Sequence, residues 1–410
     1  MIRRNRKEYS FKINIYVVVF SIIAVVMLVS YFAPFFLKIK YVSDISVPEE
    51  TLLAKVLDEK PIEPPITHIK TPESVKAIYI SSWVAGSPEI RKNLIKLIDE
   101  TEINAVVIDI KDYTGKVVFK TNGKKIEEFE STEVRIRDIR ELIKSFHDKG
   151  VYVIGRISAF QDAHMVVKKP DWAVKRESDS GVWKDRKGIS WIDPGSEEMW
   201  DYLVEIGRES FALGFDELNF DYIRFPSDGD MNDIYYPFSD GQKKVDVMGR
   251  FYAYLNSQFR GSIVKNEDGI NVPYIGTDEP VLSADLFGMV TSNYDDLNIG
   301  QVIEVAFPYF DYIAPMVYPS HYPKTFLGFD NPSAKPYEVI HYAMSKAVER
   351  AKIASTSPSK LRPWLQDFSL GTTYTPEMVR AQIQATYDTG LNSWMLWSAS
   401  NKYTQSALHE

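Results

Sequence analysis

A (β/α)8 barrel is the fold class this sequence predicts, and three observations predict it. Eight apolar, β-rich runs follow one another from residue 75 onward, helical patterns separate most of them, and polar and aromatic residues gather at their C-terminal ends. Strand–helix alternation that reaches eight units closes a parallel barrel, whose chemistry sits at the C-terminal rim. An open doubly wound sheet is the alternative, but it usually carries a glycine-rich first turn. Here the first turn reads Ser82-Trp83-Val84-Ala85-Gly86-Ser87, which is no phosphate cradle.

The runs lie at 75–83, 105–112, 151–158, 216–225, 282–289, 312–318, 361–368 and 393–398. Between the first two, residues 89–100 place Ile90, Leu94, Leu97 and Ile98 at helical spacing. Residues 136–149 do the same with Ile139, Leu142, Ile143 and Phe146 and stop at Gly150. Further helices are expected at 196–213, 241–258, 337–353 and 375–389, the first and last ending at Gly214 and Gly390. The barrel domain is therefore drawn over residues 75–410.

The residues before it read differently. Residues 13–37 are an almost unbroken apolar run without charge, roughly 37 Å long as a helix, enough to cross a hydrocarbon core of about 30 Å. No small-residue cleavage site follows, so an uncleaved transmembrane anchor is expected in preference to a signal peptide. Arg3, Arg4, Arg6, Lys7 and Lys12 precede it against the single acid Glu8. That bias predicts a cytoplasmic tail over 1–12 and an extracellular barrel, in a single-pass protein of the cell membrane. Residues 38–74 hold Pro48, Pro61, Pro64, Pro65 and Pro72 with several acids, the composition of a solvated linker.

Charge and residue usage exclude several functions. The first twelve residues carry +4 and the whole chain −8, leaving −12 on the rest, a poor match for nucleic acid. There is no cysteine, hence no disulfide, thiolate nucleophile or Cys-based metal site. None of the six histidines has the i, i+4 spacing of a helical zinc pair, so no metal or other cofactor is expected.

The expected chemistry lies at the strand ends. In strand four, alternation puts Glu217, Asn219 and Asp221 on one face and Leu218, Phe220 and Tyr222 on the other. Two carboxylates flanking one bond are the requirement of glycoside cleavage, one ionised and one held protonated. Asp221 on strand four and Asp285 on strand five are the first pair, with Asp109 and Asp112 after strand two as substitutes for the acid. Arg156 or Arg224 is expected to keep Asp221 charged. Asp162, Asp193, Tyr318, His321, Trp364, Gln366 and Trp397 complete the expected substrate-binding set. The bland alternative for each is a salt-bridged or core residue; for Trp397 it is a plug between strand and helix.

The motifs also resemble a known family. Gly214-Phe215-Asp216-Glu217-Leu218-Asn219-Phe220-Asp221-Tyr222-Ile223-Arg224-Phe225-Pro226, Ser283-Ala284-Asp285-Leu286-Phe287-Gly288 and Ile299-Gly300-Gln301 carry the likeness. Ala314-Pro315-Met316-Val317-Tyr318-Pro319-Ser320-His321-Tyr322, Arg362-Pro363-Trp364-Leu365-Gln366-Asp367-Phe368 and Trp394-Met395-Leu396-Trp397 extend it. Over residues 75–403 the chain resembles the putative glycosyl hydrolase domain family, itself a domain of unknown function. That family looks related to bacterial barrels that cleave peptidoglycan glycan strands. The resemblance implies a polysaccharide substrate, peptidoglycan glycan among the expected ones. By analogy with the amylase and galactosidase clans, it also implies Asp221 as nucleophile. The amylase-like clan has Glu where this chain has Asp285, and the third-strand loop reads Ala159-Phe160-Gln161-Asp162-Ala163 in place of Phe-Lys-Asp-Pro. A non-catalytic barrel that binds glycan and scaffolds the envelope is the competing reading; a metal-dependent deacetylase is disfavoured by the shortage of histidine.

Overall fold

The computed structural model describes residues 66–260, 263–265, 271–273 and 279–409. The expected tail over 1–12, the anchor over 13–37 and most of the linker over 38–74 lie outside the described residues. Among the described residues no helix is long and apolar enough to cross a membrane.

Eight parallel strands close into a barrel: β1 Lys76–Ile80, β2 Ala105–Lys111, β3 Tyr152–Ser158, β4 Glu217–Asp221, β5 Val281–Phe287, β6 Tyr312–Met316, β7 Trp364–Gln366 and β8 Trp394–Trp397. Consecutive strands pair all the way round, and β8 meets β1 through Lys76↔Trp394. The outer layer holds α1 Pro88–Asp99, α2 Ile139–His147, α3 Glu197–Phe211, α4 Lys244–Phe259, α5 Pro336–Ile353 and α6 Pro376–Asp388. Between β5 and β6 the crossover helix shrinks to the single turn Ile303–Ala306. The part of the 261–271 insertion that is described is one arm and the start of the other of a short antiparallel hairpin, Ile263–Lys265 against Asn271–Pro273.

Helices form where the apolar stripe and the caps agree. In α2, Ile139, Leu142, Ile143 and Phe146 are all buried. In α1, Leu94, Leu97 and Ile98 face inward, whereas Ile90 stays exposed in the first turn. Thr375 caps α6 by accepting from the Met378 N–H, with Pro376 at the first helical position, where a missing N–H costs nothing.

Two cores result. The larger lies between strands and helices and takes Leu218 and Phe220 from β4. The smaller fills the lumen with Ala77, Tyr79, Ala105, Val107, Tyr152, Ile154, Ala314, Tyr318, Trp364 and Met395. On the β3–β5 side the lumen is polar. At its base Glu217 receives Arg362 Nη1 on both oxygens, at 2.9 and 3.0 Å, and the Tyr152 hydroxyl at 3.1 Å. Gly155 of β3 faces the outer core, where a Cβ would fall 2.1 Å from the Ile110 Cδ1 atom; the two strands seat that side chain because glycine stands there.

Two boundaries depart from the alternation pattern. Strand four stops at Asp221, short of the expected 225, because Tyr222 turns into the left-handed region with φ of 53°. For a non-glycine residue this costs roughly 1–2 kcal/mol. Residues 66–74, expected in the linker, run along the base of the barrel. The Ile69 N–H donates to Asp216, which also accepts from the Val153 N–H, and Thr71 donates to the Tyr152 hydroxyl.

The buried Glu217–Arg362 pair gives a stability test. Glu217→Ala leaves Arg362 as an uncompensated buried cation, so the variant should lose about 3–5 kcal/mol. Urea unfolding reads this directly; a loss under about 1 kcal/mol would mean the pair is solvated in solution.

Candidate active site

The C-terminal end of the lumen holds three carboxylates around one guanidinium. Arg156 is brought there by β3, whose register sets it beside Asp109 of β2 and Asn219 of β4. Its Nε and Nη2 donate to Asp221 Oδ2 at 3.1 and 2.5 Å, and Nη1 donates to Asp109 Oδ1 at 2.7 Å. Asp285 Oδ2 lies 3.9 Å from Nε. Asp109, Asp221 and Asp285 are at most 5% exposed, and Arg156 is 6% exposed, so the four groups meet with little water to screen them.

Each acid has a different second partner. Asp109 Oδ2 accepts from the Tyr79 hydroxyl at 2.5 Å. Asp221 Oδ1 accepts from the Tyr222 N–H at 2.5 Å, so the left-handed turn at Tyr222 also aims the carboxylate. Asp285 Oδ1 accepts from Asn219 Nδ2 at 2.9 Å and from Trp364 Nε1 at 2.7 Å, which leaves Oδ2 free to carry a proton. Burial pushes the Asp285 carboxyl well above the ordinary carboxylate range, and the Asp221 charge adds to it; Arg156, Asn219 and Trp364 oppose the shift without cancelling it. Burial also raises Asp109, against the pull of Arg156 and Tyr79.

Around this cluster stand aromatic rings. Trp397 is half-buried, stacks on Tyr79 with centroids 4.1 Å apart, and meets Trp364 edge-on at 5.6 Å. The Arg156 guanidinium carbon lies 5.2 Å from the Trp397 ring centre. Tyr318, 7% exposed, joins the lumen cluster from the end of β6 and touches Phe368 edge-on. His321 is exposed beyond it on the same rim, 5.2 Å from Tyr318.

The other expected residues form no hydrogen bond with Arg156 or the three acids around it. Asp112 is tied to Arg135 Nη1 at 2.6 Å and to the backbone and hydroxyl of Thr114. Asp162 has no exposed surface, caps the helix Ala163–Lys168, and pairs with the fully buried Lys111 at 2.9 Å. Asp193 is equally inaccessible and binds Gly195, Phe238 and Ser239, stapling the loop after β3 to the loop after β4. Gln366 is fully buried, its side chain accepting from Ser320 N–H and donating to the Phe368 carbonyl. Arg224 is close enough to act electrostatically on Asp221, but its hydrogen bonds go to the Phe225 carbonyl and Ser227, and it lies over the Trp191 ring at 4.9 Å. In Asp112, Asp162 and Asp193 the carboxylate is taken up by loop and helix contacts, and in Gln366 the amide is taken up by neighbouring loops.

Two site residues escaped the sequence reading. Tyr79 shares the inward parity of Ala77 on β1, and Asn219 lies between Glu217 and Asp221 on the inward face of β4. Parity alone was the available signal for both.

A closed parallel barrel with carboxylates clustered at its C-terminal rim is an architecture that glycoside hydrolases use. The chain belongs to the family described as "Putative glycosyl hydrolase domain", which matches residues 77–403. A hypothetical protein from Ruminiclostridium thermocellum ATCC 27405 is similar at 34% identity, over 51% of this chain and 96% of that one, with a TM-score of 0.43. The PgaB (BpsB) glycoside hydrolase domain from Bordetella bronchiseptica shares the fold, with a TM-score of 0.56 and 14% identity over 79% of this chain and 94% of that one. The α-galactosidase TtGalA from Thermus thermophilus aligns at 14% identity and a TM-score of 0.45, over 81% of this chain and 59% of that one. No curated protein matches the sequence. Membership of this family supports a glycoside hydrolase in general, acting on a carbohydrate.

The shared cation makes a prediction. Replacing Arg156 with Met leaves three buried carboxylates without their counter-charge and pushes Asp109 and Asp285, both already raised by burial, further above their unfolded-state range. A raised carboxyl pKa contributes stability at low pH that is lost as pH rises. The melting temperature of Arg156→Met should therefore fall well below wild type at neutral pH and approach it in mild acid. An equal deficit at both pH values would show that Arg156 acts through packing alone.

Proposed function

We propose that this protein is a membrane-anchored, extracellular glycoside hydrolase that cleaves a cell-wall or other bacterial polysaccharide through Asp221 and Asp285. The observation that carries the reading is the unequal treatment of these two acids by one guanidinium. Arg156 donates twice to Asp221 and only approaches Asp285. The first is thereby suited to stay ionised, and the second, raised by burial and by its neighbour's charge, to stay protonated.

In this mechanism the Asp285 Oδ2 proton passes to the glycosidic oxygen as that bond breaks, and Asp221 takes the anomeric carbon into a covalent ester. Asp285, now ionised, accepts a proton from water, which attacks the same carbon and releases Asp221. Both Oδ2 atoms lie within 4 Å of Arg156 Nε, so they are at most about 7 Å apart. Most of the span used by inverting enzymes, roughly 6.5–9.5 Å, is thereby excluded, which favours retention of the anomeric configuration. Asp109, with both oxygens engaged by Tyr79 and Arg156, serves the charge balance in place of proton transfer.

Four measurements test the reading. With peptide-free peptidoglycan glycan and common bacterial polysaccharides as substrates, Asp221→Asn should lose on the order of a thousandfold or more in rate with the fold intact. A near-wild-type rate would remove Asp221 from the chemistry. In the wild-type protein, activity should fall on the alkaline side as Asp285 loses its proton, and this limb should vanish in Asp285→Asn, whose residual rate no longer depends on that proton. NMR of the first-formed sugar should show the starting anomer. For the topology, protease added to intact protoplasts should remove the barrel; full protection would reverse the orientation.

A wild-type protein that binds these glycans and cleaves none of them would favour the scaffold reading.

A further inference from the structure

Away from the carboxylates, the β1–β2 sector of the barrel mouth presents two exposed aromatic rings beside one buried cation. Trp83, in the single-turn helix Ser82–Ala85 after β1, is 63% exposed, and Tyr113, in the turn after β2, is 52% exposed. Isolated exposed aromatics are common and need no explanation. These two are set differently, because a rigid pedestal holds the first and binds the chain neighbours of the second.

The pedestal is Arg135, itself only 9% exposed. Its guanidinium donates to Asp112 at 2.6 Å, to Glu133 at 2.8 Å, and to the hydroxyls of Ser82 and Thr114, both at 3.1 Å. The guanidinium carbon then lies 4.5 Å from the centre of the Trp83 ring. With one face on this cation, the ring turns its other face to solvent. Asp112 and Thr114, the chain neighbours of Tyr113, are both bound to the same fork, which holds the turn that carries Tyr113 beside Arg135.

The helix that carries Trp83 is fixed from three directions. Ser81 caps it by accepting from the Val84 N–H, and Ser81 is tied to Asn401 Oδ1 through its backbone N–H at 3.0 Å and its hydroxyl at 2.8 Å. Gly86 closes it against the Arg135 backbone so tightly that a Cβ there would lie 2.0 Å from the Arg135 carbonyl oxygen. An exposed ring held this firmly loses little entropy when a ligand covers it, which is what favours a preorganised binding face. The same strands lead to the catalytic cluster: β1 supplies Tyr79 and β2 supplies Asp109.

We propose that Trp83 and Tyr113 form a distal sugar-binding subsite on the β1–β2 side of the barrel mouth, so that the protein grips a glycan segment several residues long instead of a single terminal unit. The inference rests on the reading that the ligand is a glycan, and it extends that reading to chain length. The flat C–H face of a pyranose ring packs on Trp83, whose electron density the underlying guanidinium orders but does not cover on the outer side. Tyr113 adds a second flat surface and a hydroxyl able to bond a sugar hydroxyl.

The test measures binding to peptide-free peptidoglycan glycan fractionated as disaccharide, tetrasaccharide and octasaccharide, with the full-length wild-type, Trp83→Ala, Trp83→Tyr and Tyr113→Ala proteins. Wild-type affinity should rise with chain length. Trp83→Ala should lose about tenfold on the octasaccharide and little on the disaccharide. Trp83→Tyr should recover most of the loss, and Tyr113→Ala should show a smaller loss of the same kind, which keeps the inference testable if Trp83→Ala unfolds. Equal affinity of wild type and Trp83→Ala at every length overturns the proposal, as does an equal loss on the disaccharide or a wild-type affinity that does not grow with length. Loss of binding to phosphatidylcholine vesicles, with oligosaccharide affinity unchanged, also overturns it and assigns the rings to the membrane surface. Because binding is read without turnover, a protein that binds long chains and cleaves none sinks the hydrolase reading while leaving the subsite intact.

Discussion

The contact on which the rest of this structure depends is the one between Arg156 and the acids around it. Three carboxylates in a nearly dry lumen cannot all be ionised beside a single positive charge without a large electrostatic penalty. The distribution of hydrogen bonds decides where the proton resides. Arg156 spends two donors on Asp221 and one on Asp109, and Asp285 receives only neutral donors within hydrogen-bonding distance, from Asn219 and Trp364. Neutral donors stabilise a carboxylate less than a guanidinium does. Asp285 is thus the acid least compensated for burial, and its pKa rises accordingly.

This arrangement follows from one strand. Period-two alternation in β4 stacks Glu217, Asn219 and Asp221 in a polar column from the base of the lumen to its mouth. Each member of the column meets a partner from a different strand. Glu217 meets Arg362 just ahead of β7, Asn219 meets Asp285 on β5, and Asp221 meets Arg156 on β3. The column therefore ties the barrel together across its axis as well as around its circumference. Slipping β4 by one residue would place Leu218 and Phe220 in the polar lumen and three polar groups in the outer core, so the register and the site are specified by the same side chains.

That logic explains how much was legible in the sequence. Strand number, strand order and inward parity are local properties of the chain, and they locate Asp221, Asp285, Asp109 and Arg156 together. What parity does not reveal is the partner of a residue in a loop. Asp193 and Asp162 look like rim acids from the sequence, yet one is bonded to Phe238 and Ser239, more than forty residues away, and the other is paired with Lys111 from β2. Gln366 follows the inward parity of Trp364, but the backbone of the next loop takes up its amide. An Asp that caps a helix and an Asp that awaits a ligand have the same letter and similar neighbours; only tertiary contacts separate them.

The distinction between catalysis and passive binding then turns on cost. A barrel that merely held a glycan would be well served by exposed aromatic rings and neutral polar groups at its mouth, such as Trp83 and Tyr113 provide. It would gain nothing from three carboxylates drawn out of water around one guanidinium, nor from the left-handed Tyr222 that aims one of them. Replacing such a cluster with apolar groups of similar volume is often neutral or stabilising in other proteins. Under the proposed hydrolase reading, local strain and uncompensated charge at one rim serve a task that needs an ionised and a protonated acid side by side. Among the described residues, Asp221 and Asp285 fit that task in geometry, in partners and in the direction of the Asp285 shift.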